Sequence, residues 1–119
     1  MKVMIVDDSN LLQARLTNAL IKSDENMSIS RASNCKEAAD LFSQIEPDTV
    51  ILDIALPDGS GIELLRTMKK ENPQIAVFMF TNYGSTEFKK SCLELGAENF
   101  FEKSNMKGLI DSLRLQHAN

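Results

Sequence analysis

The sequence has no tryptophan, one histidine, and two cysteines that share no CxxC spacing. Without tryptophan, no tryptophan quenching can report a reaction. The lone His117 lies close to the C-terminal end and is assigned no role. In the absence of a His or Cys cluster, zinc and redox-active metals lack their usual ligands. Cys35 and Cys92 lie far apart and read as free thiols packed as small hydrophobes. No apolar run approaches the roughly 18 residues of a membrane span. The start holds one lysine and the run Val3–Val6 before Asp7, too little for a signal peptide. The chain is therefore expected to be cytoplasmic, without a membrane partner. Positive charge is also short: a net charge of −4 argues against a surface that neutralises nucleic-acid phosphates.

What is present reads as a single domain, residues 1–119, with 43% hydrophobic and 25% charged residues. Neither an internal repeat nor a biased segment interrupts it. VMIV at 3–6, VIL at 50–52 and IAVFMF at 75–80 are continuously apolar, as in strands covered on both faces. MSISRAS at 27–33 is more polar and NFF at 99–101 is short, which suits edge strands. Helical stripes fill the gaps. Leu12, Leu16, Ala19 and Leu20 mark a first helix from about Asn10 to Lys22, and Ala38, Leu41, Phe42 and Ile45 a second, ended by Pro47. Ser60 and Glu63 have capping-box spacing ahead of Leu64, Leu65 and Met68. Phe88, Cys92 and Leu95 mark a fourth helix stopped by Gly96; Leu109, Ile110 and Leu113 mark a fifth. Five strands alternating with five helices predict an α/β fold. Central strands 1, 3 and 4 give a flavodoxin-like doubly wound parallel sheet of order 2-1-3-4-5.

In such a sheet ligands bind beyond the carboxyl ends of the strands. Asp7 and Asp8 follow strand 1, Asp53 ends strand 3, Thr81 ends strand 4, and Lys103 follows strand 5. Taken singly, the Asp7–Asp8–Ser9 stretch could merely cap a helix. Convergence at one edge points instead to chemistry. Three carboxylates in a partly dry crevice repel one another, and a divalent cation relieves the repulsion. Oxygen ligands favour Mg²⁺ or Mn²⁺ over zinc.

VDDS at 6–9, LDIALPDGSG at 52–61, FT at 80–81 and FFEK at 100–103, in this order, span essentially the whole chain. The set resembles the receiver domains of two-component response regulators of the chemotaxis-regulator type. That resemblance implies Asp53 as phosphoacceptor, Asp8 as a direct Mg²⁺ ligand, Asp7 supporting the metal through water, and the Ala55 backbone carbonyl completing the coordination. It implies Thr81 as the phosphate-sensing hydroxyl, Lys103 as the phosphate-binding cation, and Phe100 as the switch aromatic. Phe100 would turn inward and repack the surface of helix 4, strand 5 and helix 5. The implied partners are a histidine kinase or histidine phosphotransfer protein and a downstream protein or fused output domain. Leu11, Ala14 and Arg15 on helix 1 are the implied phosphodonor docking face.

Pro57, Gly59 and Gly61 read as a turn that starts helix 3. Two departures from the family pattern stand out. Ser104 replaces the usual proline, often cis-linked, and can cap helix 5. Asn82, followed by Tyr83, stands where Ala or Gly is typical and would narrow access to Asp53. A rival reading is an Mg²⁺-dependent phosphohydrolase that forms an aspartyl-phosphate, but such enzymes commonly place a second acid two positions on, where this chain has Ala55. The remaining rival is a receiver-like domain that only binds protein.

Overall fold

The structure, a computed structural model, describes residues 1–117 without the side chain of His117, so the expectation for that histidine lies outside it. The elements are β1 (Lys2–Val6), α1 (Asn10–Ser23), β2 (Ser28–Ala32), α2 (Cys35–Ile45), β3 (Thr49–Leu52), β4 (Ala55–Leu56), β5 (Gly59–Ser60), α3 (Gly61–Glu71), β6 (Ala76–Thr81), α4 (Thr86–Glu94), β7 (Asn99–Glu102) and α5 (Met106–His117). Five strands form one parallel sheet, β2-β1-β3-β6-β7. Counted within that sheet, this is the expected 2-1-3-4-5. The segments β4 and β5 form a separate two-stranded hairpin where the sequence pattern predicts only a turn.

Period-two alternation divides the core. Met4, Val6, Val50, Leu52, Val77 and Met79 point to one face, where Phe42, Leu65 and Met68 cover them. Val3, Ile5, Ile51, Phe78 and Phe80 point to the other, under Leu16 and Leu20 of α1 and Leu109 and Leu113 of α5. The central strands are buried on both faces, which is why they carry no polar alternation.

Helix ends show where local chemistry acted otherwise than expected. α2 stops at Ile45, before Pro47, with Glu46 in the left-handed region at φ 47°. At α3, Ser60 Oγ accepts the Ile62 N–H, while Glu63 pairs with Arg66 at 3.5 Å, so the capping box is only half formed. α4 ends as read: Gly96 adopts φ 101°, and the Gly96 and Ala97 N–H groups donate to the Leu93 and Cys92 carbonyls. Phe88, expected on the inner stripe of α4, is 39% exposed. Ser104 does not cap α5. Ser104 lies inside a turn closed by the Asn105 N–H donating to the Glu102 carbonyl, and Asn105 Oδ1 takes the Gly108 N–H instead. Among the described residues no peptide bond is cis, the Lys103–Ser104 bond included. Both cysteines are free, Cys92 buried and Cys35 half-buried. Among the described residues, no helix is long and apolar enough to cross a membrane.

Candidate functional site

The strand ends assemble the crevice through backbone pairing that continues past each strand. The Asp7 N–H donates to the Ala32 carbonyl and the Asp53 N–H to the Val6 carbonyl, both at 3.1 Å. The Lys103 N–H donates to the Thr81 carbonyl at 3.0 Å, which carries the lysine to the same edge. One oxygen from each of Asp7, Asp8 and Asp53 lies within 4.8 Å of the others. Asp7 and Asp53 are buried, while Asp8 is exposed at the mouth. Ser9, not the acidic doublet, caps α1: its Oγ accepts the Leu12 N–H. Both carboxylates are thereby left to the crevice, although Asp7 Oδ1 also takes the Ser9 N–H at 2.8 Å.

Lys103 closes the group. Its Nζ stands 2.8 Å from Asp53 Oδ2 and 2.9 Å from Asp7 Oδ2, with the lysine side chain only 16% exposed. Burial pushes the Asp7 carboxyl above its usual range, against the lowering pull of Lys103 and the Ser9 N–H. Burial by itself would lower the Lys103 ammonium, but its bonds to Asp53 and Asp7 outweigh that and hold it raised. The site is therefore a buried carboxylate pair bridged by one cation, a grouping that gains from a second cation or from an incoming anion.

The surrounding backbone is tightly placed. A side chain on Gly61 would collide with the Asp53 carbonyl, and the Gly61 N–H donates to the Ile54 carbonyl at 2.7 Å. Gly61 is thus more than a turn residue, because only glycine lets α3 start against the backbone of Asp53. Ala55 is half-buried in the hairpin, and its N–H points at Asp53 Oδ1 at 3.4 Å. Thr81 is fully buried; its Oγ1 accepts the Tyr83 N–H at 3.2 Å, leaving the hydroxyl proton available to donate. The Phe100 ring is already inward, 7% exposed within the core cluster.

Beside the crevice runs a groove lined by Leu11, Arg15, Asn82, Lys103 and Ser104, with Leu11 63% exposed. It unites the expected docking residues Leu11 and Arg15 with Asn82. Ala14 is half-buried and Tyr83 is exposed, and neither lines the groove. Two polar residues near the site escaped the sequence reading. Gln13 is buried on α1, and its Nε2 donates to the carbonyls of Asp7 (2.6 Å) and Ala32 (3.1 Å), clamping the end of β1 to β2. A polar residue next to an apolar stripe is the signal that could have found it. Asp58 caps α2 from the hairpin, and the N–H of Cys35, then that of Lys36, hold its carboxyl below the ordinary range.

Comparison with known proteins gives concordant matches. A family model described as the response regulator receiver domain matches residues 3–114. A cyclic di-GMP phosphodiesterase of Thermotoga maritima is 34% identical over 118 residues, which cover 99% of this chain and 31% of the relative. The sporulation initiation phosphotransferase F of Bacillus subtilis is 34% identical over 102 residues, covering 86% of this chain and 81% of its own length. The signal receiver domain of a DNA-binding response regulator from Colwellia psychrerythraea 34H shares the fold, with a TM-score of 0.95 at 24% identity over 100% of this chain and 99% of that one. The chain thus spans less than a third of the phosphodiesterase but most of the phosphotransferase.

Proposed function

The chain belongs to the response regulator receiver domain family, a phosphoacceptor module of two-component signalling, and on that premise we propose that Asp53 is the residue phosphorylated. The observation that carries this reading is the buried Asp53 carboxylate, held 2.8 Å from Lys103 and grouped with Asp7 and Asp8. The donor set is oxygen only, and it fits Mg²⁺ or Mn²⁺. Asp8, Asp53 and the Ala55 carbonyl would hold the ion, with Asp7 acting through water. Bound Mg²⁺ supplies positive charge for the oxygens of the transferred phosphoryl group.

The residues of the chain do the rest. Asp53 attacks phosphorus on a phosphohistidine of a histidine kinase or phosphotransfer protein. The new P–O bond forms as the P–N bond breaks, and the imidazole leaves with the electron pair. Lys103 shifts its hydrogen bonds from the carboxylates to the phosphoryl oxygens and neutralises them. The Thr81 hydroxyl donates a hydrogen bond to the same group. That bond pulls on the loop after β6 and biases the α4–β7–α5 surface toward a downstream protein or fused output domain. The Phe100 ring, already inward, needs no turn for this. Residues 1–119 act as one receiver domain. Two free thiols suit a reducing cytoplasm.

Phosphodonor docking is assigned to the α1 groove. Leu11→Glu should slow transfer from the partner kinase about tenfold, the equivalent of about 1.4 kcal/mol, while sparing acetyl phosphate. Phosphotransfer timed with both donors checks this, and equal slowing would assign Leu11 to the fold. Asn82 lines the same groove, where an amide larger than Ala would narrow the in-line path to phosphorus. Asn82→Ala should therefore raise the acetyl phosphate rate about tenfold, a barrier change of about 1.4 kcal/mol. Mass change at fixed Mg²⁺ reads the rate, and an unchanged or lower value would show that Asn82 does not obstruct.

A further inference from the structure

The tip of the β4–β5 hairpin takes no part in the chemistry above. Pro57 and Asp58 form it, between the paired residues Leu56 and Gly59. Asp58 Oδ1 accepts the Cys35 N–H at 2.7 Å and Oδ2 the Lys36 N–H at 3.1 Å. These are the first two residues of α2, and the third, Glu37, donates to Asn34 Oδ1 at 2.8 Å. A helix start presents unpaired N–H groups and partial positive charge, so a carboxylate is favoured there. Here the carboxylate comes from the segment that follows Asp53. Packing reinforces the dock, since a Cβ added at Gly59 would stand 3.2 Å from Cys35 Sγ.

The hairpin is short, and its register couples tip to base. Leu56 pairs with Gly59 and Ala55 with Ser60, so one rung separates the docked tip from Ala55. Beyond that rung, Ser60 caps α3 and Gly61 rests on the Asp53 backbone. Two-residue strands have little stiffness of their own. Freed from α2, the tip would leave Ala55 tethered from one side only.

We propose that Asp58 is a positioning residue for the divalent-cation site: by docking the hairpin on the start of α2, it fixes the backbone carbonyl of Ala55. This rests on the reading of Ala55 as a metal ligand. Supports behind metal ligands commonly set affinity without touching the ion. A residue that served α2 alone would alter helix stability and leave metal affinity unchanged.

Mg²⁺ titrations of the wild type, Asp58→Ala and Asp58→Asn, followed by amide chemical shifts, separate the two. Asp58→Ala should weaken Mg²⁺ about tenfold and speed amide exchange at Cys35 and Lys36. Asp58→Asn loses the same charge but keeps an acceptor oxygen, and should remain within about threefold of the wild type. Equal Mg²⁺ affinity in the wild type and Asp58→Ala, with those amides exposed, would overturn the positioning role. Equal weakening in both variants would also overturn it, reducing Asp58 to a distant charge. Failure of the wild type to bind Mg²⁺ would instead overturn the metal reading itself.

Discussion

Asp53→Asn protein incubated with acetyl phosphate and Mg²⁺ should gain no mass, where the wild type gains one phosphoryl group of about 80 Da. An amide oxygen is a poor nucleophile, and the substitution also removes one of the carboxylates gathered within 4.8 Å. The fold should survive, because asparagine is nearly isosteric and can still accept the 2.8 Å bond from Lys103. Loss of labelling with an unchanged circular dichroism spectrum is the expected pair of results. EDTA should abolish wild-type labelling as well. Persistent labelling of the variant at any residue other than a neighbouring acid would contradict the assignment.

Lys103→Ala has a second large effect, in two parts. In EDTA it leaves the buried Asp7 and Asp53 carboxylates facing one another without a counter-charge. Breaking a buried ion pair in this way costs about 3–5 kcal/mol, so thermal melting should fall sharply. Mg²⁺ should restore more of the variant's stability than of the wild type's, since the ion then replaces the positive charge that Lys103 supplied between the carboxylates. Phosphorylation should remain detectable but slow by about 10²–10³-fold, the usual effect of losing one preorganised partner for transition-state charge. The phosphorylated variant should show weaker amide shift changes on α4, β7 and α5 than the wild type, because the cation that ties phosphate to the end of β7 is gone and only the Thr81 bond remains. Wild-type melting in EDTA, or a normal conformational response, would sink this role for Lys103.

Much of the architecture was legible because its cause is local. The continuous apolar runs at 3–6, 50–52 and 75–80 became the three central strands, and the acids and lysine at strand ends met at one edge. The Gly96 stop was legible for the same reason, as a left-handed position that glycine occupies without strain. What escaped depends on distant partners. Gln13 matters through carbonyls on β1 and β2, and Asp58 through amides 22 and 23 residues earlier in the chain. Between proline and glycine, Asp58 looks like any turn residue. Ser104 and Asn105 are both good caps, and the turn after β7 decided between them. Phe88 fits the α4 stripe by spacing, yet the first turn of that helix stands away from the core.

The most direct measurement maps the phosphoryl group on the wild-type chain. After reaction with acetyl phosphate and Mg²⁺, borohydride reduces an acyl phosphate to an alcohol and expels phosphate, converting the modified aspartate to homoserine. Tandem mass spectrometry of the digest then reads the position. The account predicts homoserine at residue 53, with Asp7 and Asp8 recovered as aspartate and no conversion when EDTA replaces Mg²⁺. Homoserine at residue 7 or 8 in place of 53, or a phosphoryl group that survives base and resists borohydride, would contradict it.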